Sequence, residues 1–258
     1  MKKFFLLLAV VFIAVSCIDI KTTKTEVKRM SEVRDVKGFK SIAVEGSPIV
    51  HYKQDSVWSV KVYASEEMMK YVKTEVINGR LVVSMKKNSP LPQSYTLKIG
   101  DRLITSGNGN VDVVVSSPDI VGISVRGSGD FLAMGNIDTD KLDVRLLGSG
   151  DIKCSDVLCD TIHTELEGSG DILVSKVDAF YSSVTLIGSG DIKLSQQNVG
   201  NTNILLKGSG DISVNCANCG SVDCVLKGSG DIRLAGEVRS LKKETLGSGD
   251  IHFPDEER

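Results

Sequence analysis

The tetrapeptide Gly-Ser-Gly-Asp occurs seven times in this chain of 258 residues, at intervals of 19 to 21 residues. A fixed period of this size is typical of a solenoid, in which each repeat is one turn of a stack and buries its apolar side chains only against neighbouring turns. A degenerate copy at Gly107–Asn110 predicts that the regular array begins near residue 101. The seven copies begin at Gly127, Gly148, Gly168, Gly188, Gly208, Gly228 and Gly247.

Apolar and polar residues alternate within each repeat, and this alternation predicts short strands. Counted from the residue after the Asp, the apolar positions are 0, 2, 5, 7, 10, 12 and 14, with Gly at 16. A period of two places the two sets of side chains on opposite faces of a strand. Twenty residues at about 3.3 Å each span about 66 Å, which is enough for three short strands joined by tight corners. The sequence therefore predicts an all-β chain folded as a parallel β-helix.

Other repeat folds of similar size fit the sequence less well. The leucine-rich repeat requires a Leu-x-x-Leu-x-Leu-x-x-Asn signature, which is missing. The calcium-binding nonapeptide repeat recurs every nine residues, whereas this tetrapeptide does not.

The tetrapeptide itself is expected to form a corner, with its glycines directed inward and its Ser and Asp directed outward. An inward Cβ would clash where two walls come close, and Gly also permits a positive φ. The aspartates should then form a ladder on the outside of the stack. Its members are Asp130, Asp151, Asp171, Asp191, Asp211, Asp231 and Asp250.

The ladder has two interpretations, a structural one and a cation-binding one. In the first, each Asp hydrogen-bonds a repeated corner. In the second, neighbouring Asp and Ser oxygens hold a hard cation such as calcium in a row of weak sites. Carboxylates about 4.8 Å apart in water repel by roughly 0.9 kcal/mol, which would raise the pKa of each Asp. Hydrogen bonds to corner amides would lower it.

The start of the chain has the features of a bacterial export signal. Two lysines precede the apolar run Phe4–Val15, and Ala14-Val15-Ser16-Cys17 resembles a lipobox, in which Cys17 carries the lipid. We therefore expect a signal peptide at residues 1–16 and a polar tether at residues 17–34. An ordinary secretory signal is the alternative, and the run is too short for a transmembrane anchor.

The mature chain from Cys17 would carry 29 Lys and Arg against 33 Asp and Glu, a net charge of −4. It has no basic stripe interleaved with aromatic residues, so nucleic acid is not an expected partner.

Residues 35–100 contain further strand patterns without regular spacing, and we interpret them as an N-terminal capping region. Such a region would cover the apolar cross-section and the unpaired strand edge at the end of a solenoid. Ser65–Lys73 is expected to form a short helix, and Asn78-Gly79 a hairpin turn. Gly46-Ser47-Pro48 resembles a decayed copy of the repeat, so the coil could begin there. The solenoid repeats are assigned to residues 101–258.

The cysteines and histidines do not form an obvious site. Cys154, Cys159, Cys219 and Cys224 occupy apolar positions and are expected to act as small core residues, whereas Cys216 falls outside the apolar set. The pair Cys216-x-x-Cys219 has neither a second such pair nor a nearby His, so no metal site and no cofactor is predicted. A disulfide among these five residues stays open. His51, His163 and His252 have no evident partners.

An enzyme is not expected, and no residue is assigned a catalytic role. Repeat lengths are nearly constant, which leaves no room for the long loops that usually carry active sites. Aromatic residues make up 5% of the chain, so platforms that stack on sugars should be few.

Two motifs in order resemble one known family. Arg34-Asp35-Val36-Lys37-Gly38-Phe39 precedes Ile42-Ala43-Val44-Glu45-Gly46, and the Gly-Ser-Gly-Asp series follows. Together they resemble the putative auto-transporter adhesin, head GIN domain family, over residues 34–252. The resemblance implies a right-handed β-helix-like solenoid in a Bacteroidetes-type lipoprotein. It transfers no catalytic residue to this chain.

The expected function is that of a cell-envelope lipoprotein of the outer membrane, with an adhesin-like or structural surface and no catalysis. Its membrane contact would be the lipid on Cys17, and its ligand an envelope or host component, with glycans among the candidates. A polysaccharide-binding or carbohydrate-active β-helix is the alternative, and a scaffold that associates through coil ends is a third. Oligomeric state and exposure to the periplasm or the cell surface stay open.

Overall fold

The computed structural model describes residues 29–89, 94–99, 102–107 and 111–254. The predicted signal peptide, Cys17 and residues 108–110 lie outside the described residues. Within them the chain is almost entirely strand. The strands are β1 Arg29–Arg34, β2 Ser41–Gly46, β3 Ile49–Gln54, β4 Ser59–Ser65, β5 Val72–Ile77, β6 Arg80–Met85, β7 Ser94–Ile99, β8 Arg102–Gly107, β9 Asp112–Ser117, β10 Gly122–Gly127, β11 Asp130–Asp138, β12 Lys141–Gly148, β13 Asp151–Gly168, β14 Asp171–Gly188, β15 Asp191–Gln197, β16 Asn201–Gly208, β17 Ile212–Gly228, β18 Ile232–Thr245 and β19 Ile251–His252, and the helix is α1 Glu66–Met69.

Successive repeats stack as parallel strands in register. Along β13 and β14, Asp151 lies beside Asp171 and Gly168 lies beside Gly188, a step of 20 residues. The same step joins β14 to β15 and β16, and these to β17. The predicted parallel β-solenoid of about 20 residues per turn is therefore confirmed.

The coils of β13 and β14 have three walls. In the coil that starts at Asp151 the paired segments are residues 151–154, 156–159 and 161–168, which we name the first, second and third walls. The alternating residues point into the core as their spacing predicted, because two three-residue steps carry the chain around the corners. The buried residues are Ile152, Cys154, Val157, Cys159, Ile162, Thr164 and Leu166.

The glycine corner joins the third wall of one coil to the first wall of the next, and it packs closely against the glycine corner of the preceding coil. A Cβ on Gly150 would lie 1.8 Å from the carbonyl oxygen of Gly129, one coil earlier. The clash that excludes side chains therefore lies between successive coils, and not between two facing walls as the sequence suggested. Gly168 also has φ +138, a conformation that residues with a Cβ rarely adopt.

The corner between the first and second walls moves along the sequence from coil to coil. In the coil from Ile212 it lies at Ala217-Asn218, where Asn218 has φ 55. Cys216 is therefore buried, with 2% of its surface exposed, and Ala217 is exposed. The sequence prediction that Cys216 lies outside the core is wrong, because the corner falls two residues later than in the coil from Ile152.

The first coil is formed by β2 and β3, far from the regular repeats in sequence. Gly127 lies beside Gly46, and the backbone N–H of Ser128 donates to the Gly46 carbonyl at 2.9 Å. The decayed repeat at Gly46 is thus a true corner. Gly107, in contrast, ends β8, which pairs with β7 in a separate two-stranded sheet. The solenoid accordingly begins near residue 41, and its second coil begins only after an excursion of the chain through residues 55–121.

That excursion covers one end of the stack. β6 pairs with β2, β9 pairs with β3, and β4 pairs antiparallel with β9. The β5–β6 hairpin turns at Asn78 and Gly79, with φ 51 and 73, as predicted. The helix is shorter than predicted, because Ser65 caps it and Val72 already belongs to β5.

Six residues of the predicted tether at residues 17–34 lie in a strand of the fold. Arg29–Arg34 form β1, which pairs antiparallel with β4 over its whole length. These six residues therefore belong to the capping region.

Candidate binding surfaces of the outer walls

The aspartate ladder is part of the hydrogen bonding of the glycine corner. The carbonyl of Gly127 accepts the N–H groups of Ser149 and Gly150, at 2.8 and 3.1 Å. The next N–H, that of Asp151, donates to Oδ1 of Asp130 at 2.9 Å. The pattern continues from each Asp to the next, with N–Oδ1 distances of 2.9 to 3.4 Å. Each carboxylate therefore supplies an acceptor that the backbone of the preceding coil lacks.

Basic side chains of the first wall occupy the other carboxylate oxygens at several levels. Lys153 Nζ lies 2.9 Å from Asp151 Oδ2, and Lys193 Nζ lies 3.5 Å from Asp191 Oδ2. Arg233 bridges two coils, because its guanidinium donates to Asp211 and to Asp231.

These contacts determine the direction in which the pKa of Asp211 is shifted. The hydrogen bond from Arg233, with that from the backbone N–H of Asp231, holds the pKa of Asp211 below its ordinary value. For this residue the expected rise of the pKa by mutual repulsion is wrong, because charge-assisted hydrogen bonds outweigh the neighbouring carboxylates.

One group of three potential ligands lies at the last coil. A carboxylate oxygen of Asp231, one of Asp250 and an imidazole nitrogen of His252 lie within 4.8 Å of one another. Arg233 already donates to Asp231 Oδ2 at 2.8 Å, so a cation would have to compete with the guanidinium. Cation binding by the ladder stays a prediction.

All five cysteines beyond Cys17 are free thiols buried in the core. Burial raises the pKa of Cys154 to about 12, and that of Cys224 also to about 12. Cys216 and Cys219 face each other across the Ala217-Asn218 corner, and the hydrogen bond from Cys216 lowers the pKa of the Cys219 thiol. The cysteines thus serve as small core residues.

The outer face of the third wall carries a neutral group of aromatic, amide and hydroxyl side chains. The ring of His163 meets that of Tyr181 edge-on, with centroids 5.9 Å apart. Asn203 Nδ2 donates to the Tyr181 hydroxyl at 2.8 Å, and Ser221 Oγ donates to Asn201 Oδ1 at 2.7 Å. These contacts hold the side chains against the sheet.

Phe180 lies at the adjacent corner and is 74% exposed. The following coils have Gly200 and Gly220 at the same corner. A Cβ on Gly200 would lie 2.9 Å from the Phe180 carbonyl oxygen, and one on Gly220 would lie 2.0 Å from that of Gly200. The exposed ring therefore stands beside the exposed Gly200, and Gly220, which is buried, continues this ledge without side chains into the next coil. We name Phe180, Tyr181, His163, Asn203 and this ledge the aromatic patch.

A depression lies on the first wall. Its volume is about 280 Å³, and it forms where Ser213 stands between the longer Lys193 and Arg233. Both cations are engaged by ladder carboxylates, so an anionic ligand in this depression would have to compete with those contacts.

One histidine pairing was not foreseen from the sequence. His51 Nε2 lies 2.9 Å from Asp112 Oδ1, and both side chains are partly buried. The two residues are 61 positions apart and meet because β3 and β9 are parallel neighbours. Nothing local in the sequence signals this contact.

The described residues contain no helix long and apolar enough to cross a bilayer.

Solved structures share this fold at low sequence identity. A putative adhesin from Bacteroides fragilis is 22% identical, with a TM-score of 0.71, and the match covers 88% of this chain and 97% of that one. A putative lipid binding protein from Parabacteroides distasonis is 21% identical, with a TM-score of 0.66 and the same coverage. A putative adhesin from Parabacteroides distasonis is 20% identical, with a TM-score of 0.63, and covers 88% and 98%. No curated relative matches the sequence.

The family model described as "Putative auto-transporter adhesin, head GIN domain" matches residues 38–237 and 182–255. The match covers well over half of the chain and includes both the capping region and the repeats. The chain therefore belongs to the putative auto-transporter adhesin, head GIN domain family.

Proposed function

We propose that this protein is a cell-envelope lipoprotein, anchored through Cys17, which binds neutral glycans through the aromatic patch without catalysis. The observation that carries the proposal is the position of Phe180 and Tyr181. They are adjacent in sequence, one at a corner and one on the third wall, and they stand beside a ledge formed by Gly200 and Gly220.

The chemistry of the patch suits a sugar chain. Aromatic rings offer a flat apolar surface to the C–H groups of a pyranose ring, while Tyr, Asn and Ser supply donors and acceptors for its hydroxyls. Across the strands Tyr181 lies beside Thr161 and Asn201, while the carboxylates of Asp143 and Asp223 lie beside His163 and Asn203 and would repel an anionic sugar. A neutral glycan is therefore favoured over an acidic one.

Polar side chains also recur along the stack at the aromatic patch, once in each coil. Neighbouring strands are about 4.8 Å apart, which is close to the length of one sugar residue. Asn203 on the third wall stands one coil beyond Ser183 and two beyond His163, so polar groups recur along the stack at that spacing. An extended glycan could lie parallel to the stack and contact one coil with each sugar.

The carbohydrate-active alternative makes a different prediction. An enzyme would release products from a glycan that it binds, whereas an adhesin would not. Chromatography of each bound glycan after prolonged incubation with the protein separates the two, and product formation that depends on His51 or Asp112 would favour the enzyme.

Binding itself is tested with purified chain and an array of neutral and acidic oligosaccharides, followed by calorimetry on the positive glycans. We expect Phe180→Ala and Tyr181→Ala to weaken binding at least tenfold. Leu158→Ala is the matched control, since Leu158 is also a large exposed apolar residue, 52% exposed, but lies on the second wall. Unchanged affinity in both aromatic variants would refute the patch as the binding site.

The lipid anchor is tested separately in cells. Wild-type chain should incorporate labelled palmitate and enter the detergent phase, and Cys17→Ser should do neither. Protease treatment of intact cells then distinguishes surface exposure from a periplasmic location.

A further inference from the structure

The two ends of the chain differ strongly in charge. Residues 18–110 contain 16 Lys and Arg against 10 Asp and Glu, a net charge of +6. Residues 111–258 contain 13 against 23, a net charge of −10. Among the residues that the structure describes, 29–89 carry 11 Lys and Arg against 7 Asp and Glu, and 111–254 carry 12 against 20, so the charge is polarised along the stack.

Three exposed lysines lie together in the capping region, where α1 and β6 end. Lys70 follows α1, and its Nζ lies 5.4 Å from the centre of the Tyr71 ring. The backbone N–H of Lys86 donates to the Tyr71 carbonyl at 2.9 Å, and its Nζ donates to the Lys70 carbonyl at 2.6 Å. Lys70, Lys86 and Lys87 are all exposed. We name Lys70, Tyr71, Lys86 and Lys87 the lysine cluster.

The acidic residues nearby do not cancel this charge. Residues 66–87 carry five Lys and Arg against three Glu. Glu75 is engaged by Lys73, at 3.0 Å. Glu66 and Glu67 lie in the first turn of α1, before Lys70.

The chain enters the fold next to this cluster. Arg29, the first residue of β1, pairs with Ser65, the residue that caps α1. Further along β1, Arg34 Nη2 contacts Met69 Sδ at 3.7 Å. Cys17 and Arg29 are separated by 12 residues, which span at most about 40 Å when extended. A lipid on Cys17 would therefore hold the lysine cluster close to the membrane.

We infer that the lysine cluster rests on an anionic lipid surface and that the acidic coils are thereby directed away from it. Basic groups next to an anionic leaflet are attracted to it, whereas acidic groups are repelled. The orientation rests on the proposed anchor at Cys17, but the affinity of the cluster for anionic lipid does not. The aromatic patch, carried by the acidic coils, is then presented away from the membrane.

The test uses the chain of residues 17–258 with Cys17→Ser, which retains every described residue. It is sedimented with vesicles of phosphatidylcholine, with or without one quarter phosphatidylglycerol, at low and at physiological salt. We expect at least tenfold tighter binding to the anionic vesicles at low salt, and weaker binding as salt screens the charges.

Two triple variants with the same change in net charge locate the contact. K70E/K86E/K87E should lower the affinity for anionic vesicles tenfold or more. K176E/K207E/K227E, which alters three exposed lysines of the solenoid, should change it less than twofold. Thermal melts verify that both variants are folded.

Equal binding to both kinds of vesicle, no binding to either, or equal losses in the two variants would overturn the inference. Equally tight binding to soluble dextran sulfate would also overturn it, since the cluster would then recognise polyanions in general. Because the vesicle assay uses a chain without lipid, a negative result in palmitate labelling would refute the anchor and the orientation that rests on it, and would leave the affinity of the lysine cluster for anionic lipid standing.

Discussion

The carboxylate of Asp130 accepts a hydrogen bond from the backbone N–H of Asp151, 21 residues later in sequence, at 2.9 Å. The acceptor is needed because the Gly127 carbonyl already receives two N–H groups from that corner. The recurrence of Asp after Gly-Ser-Gly therefore has a structural cause that requires no ligand.

Asp130→Ala removes this acceptor and leaves the N–H of Asp151 without its partner. We expect a loss of about 1–3 kcal/mol in the free energy of unfolding, measured by denaturant titration. Asp130→Asn retains an oxygen at the same position and should cost less. Equal losses in the two variants would show that charge, and not the acceptor, is what matters.

Gly150→Ala should destabilise the solenoid severely. The new Cβ would lie 1.8 Å from the carbonyl oxygen of Gly129, so two coils would have to separate. We expect a loss of more than about 3 kcal/mol, or no folding at all. Ser149→Ala changes the exposed neighbour and should stay within about 0.5 kcal/mol of wild type. A stable Gly150→Ala protein would contradict the observed spacing of the corners.

Stability should fall in acid because of Asp211. Its pKa is lowered in the folded chain by Arg233, so its contribution is present above the unfolded pKa of about 3.9 and is lost as the pH falls through the folded value. We expect melting temperatures to change little through Asp211 from pH 7 to 5 and to fall below about pH 4. Arg233→Met should reduce that fall, and Arg239→Met should not. An identical acid profile in Arg233→Met would contradict this assignment.

Calcium should have little effect if the ladder is structural. Most of its carboxylates accept an N–H from the next coil, and several also contact Lys or Arg. We expect neither heat in calorimetric titration with calcium nor a rise in melting temperature. A saturable heat that disappears in Asp250→Asn would instead support a cation site at Asp231, Asp250 and His252.

The regular coils could be predicted from sequence because each repeat contains its own signal. Alternation with period two identifies the walls, and the Gly-Ser-Gly-Asp corner fixes the register, so Ile152 and Leu166 were placed in the core correctly. The corner at Ala217-Asn218 was misplaced, since it depends on a left-handed Asn218 and not on the apolar pattern.

Contacts between segments that the excursion through residues 55–121 separates in sequence could not be predicted in the same way. Gly127 stacks on Gly46, although Gly107 lies one period earlier and looked like the neighbour. The pairing of His51 with Asp112 follows from the same excursion of the chain. The aromatic patch was missed because Phe180, Gly200 and Gly220 become neighbours only through stacking.

Gly46, and not Gly107, forms the corner beneath the second coil, and one cross-linking measurement tests this stacking most directly. Glu45 and Arg126 are exposed partners on β2 and β10. In a chain with Cys17→Ser, oxidation should join the E45C/R126C pair and change its mobility on a non-reducing gel, because paired strands bring Cα atoms within disulfide range. The pair S106C/R126C, one period apart in sequence, should stay unlinked. Cross-linking of the second pair without the first would contradict the stacking described.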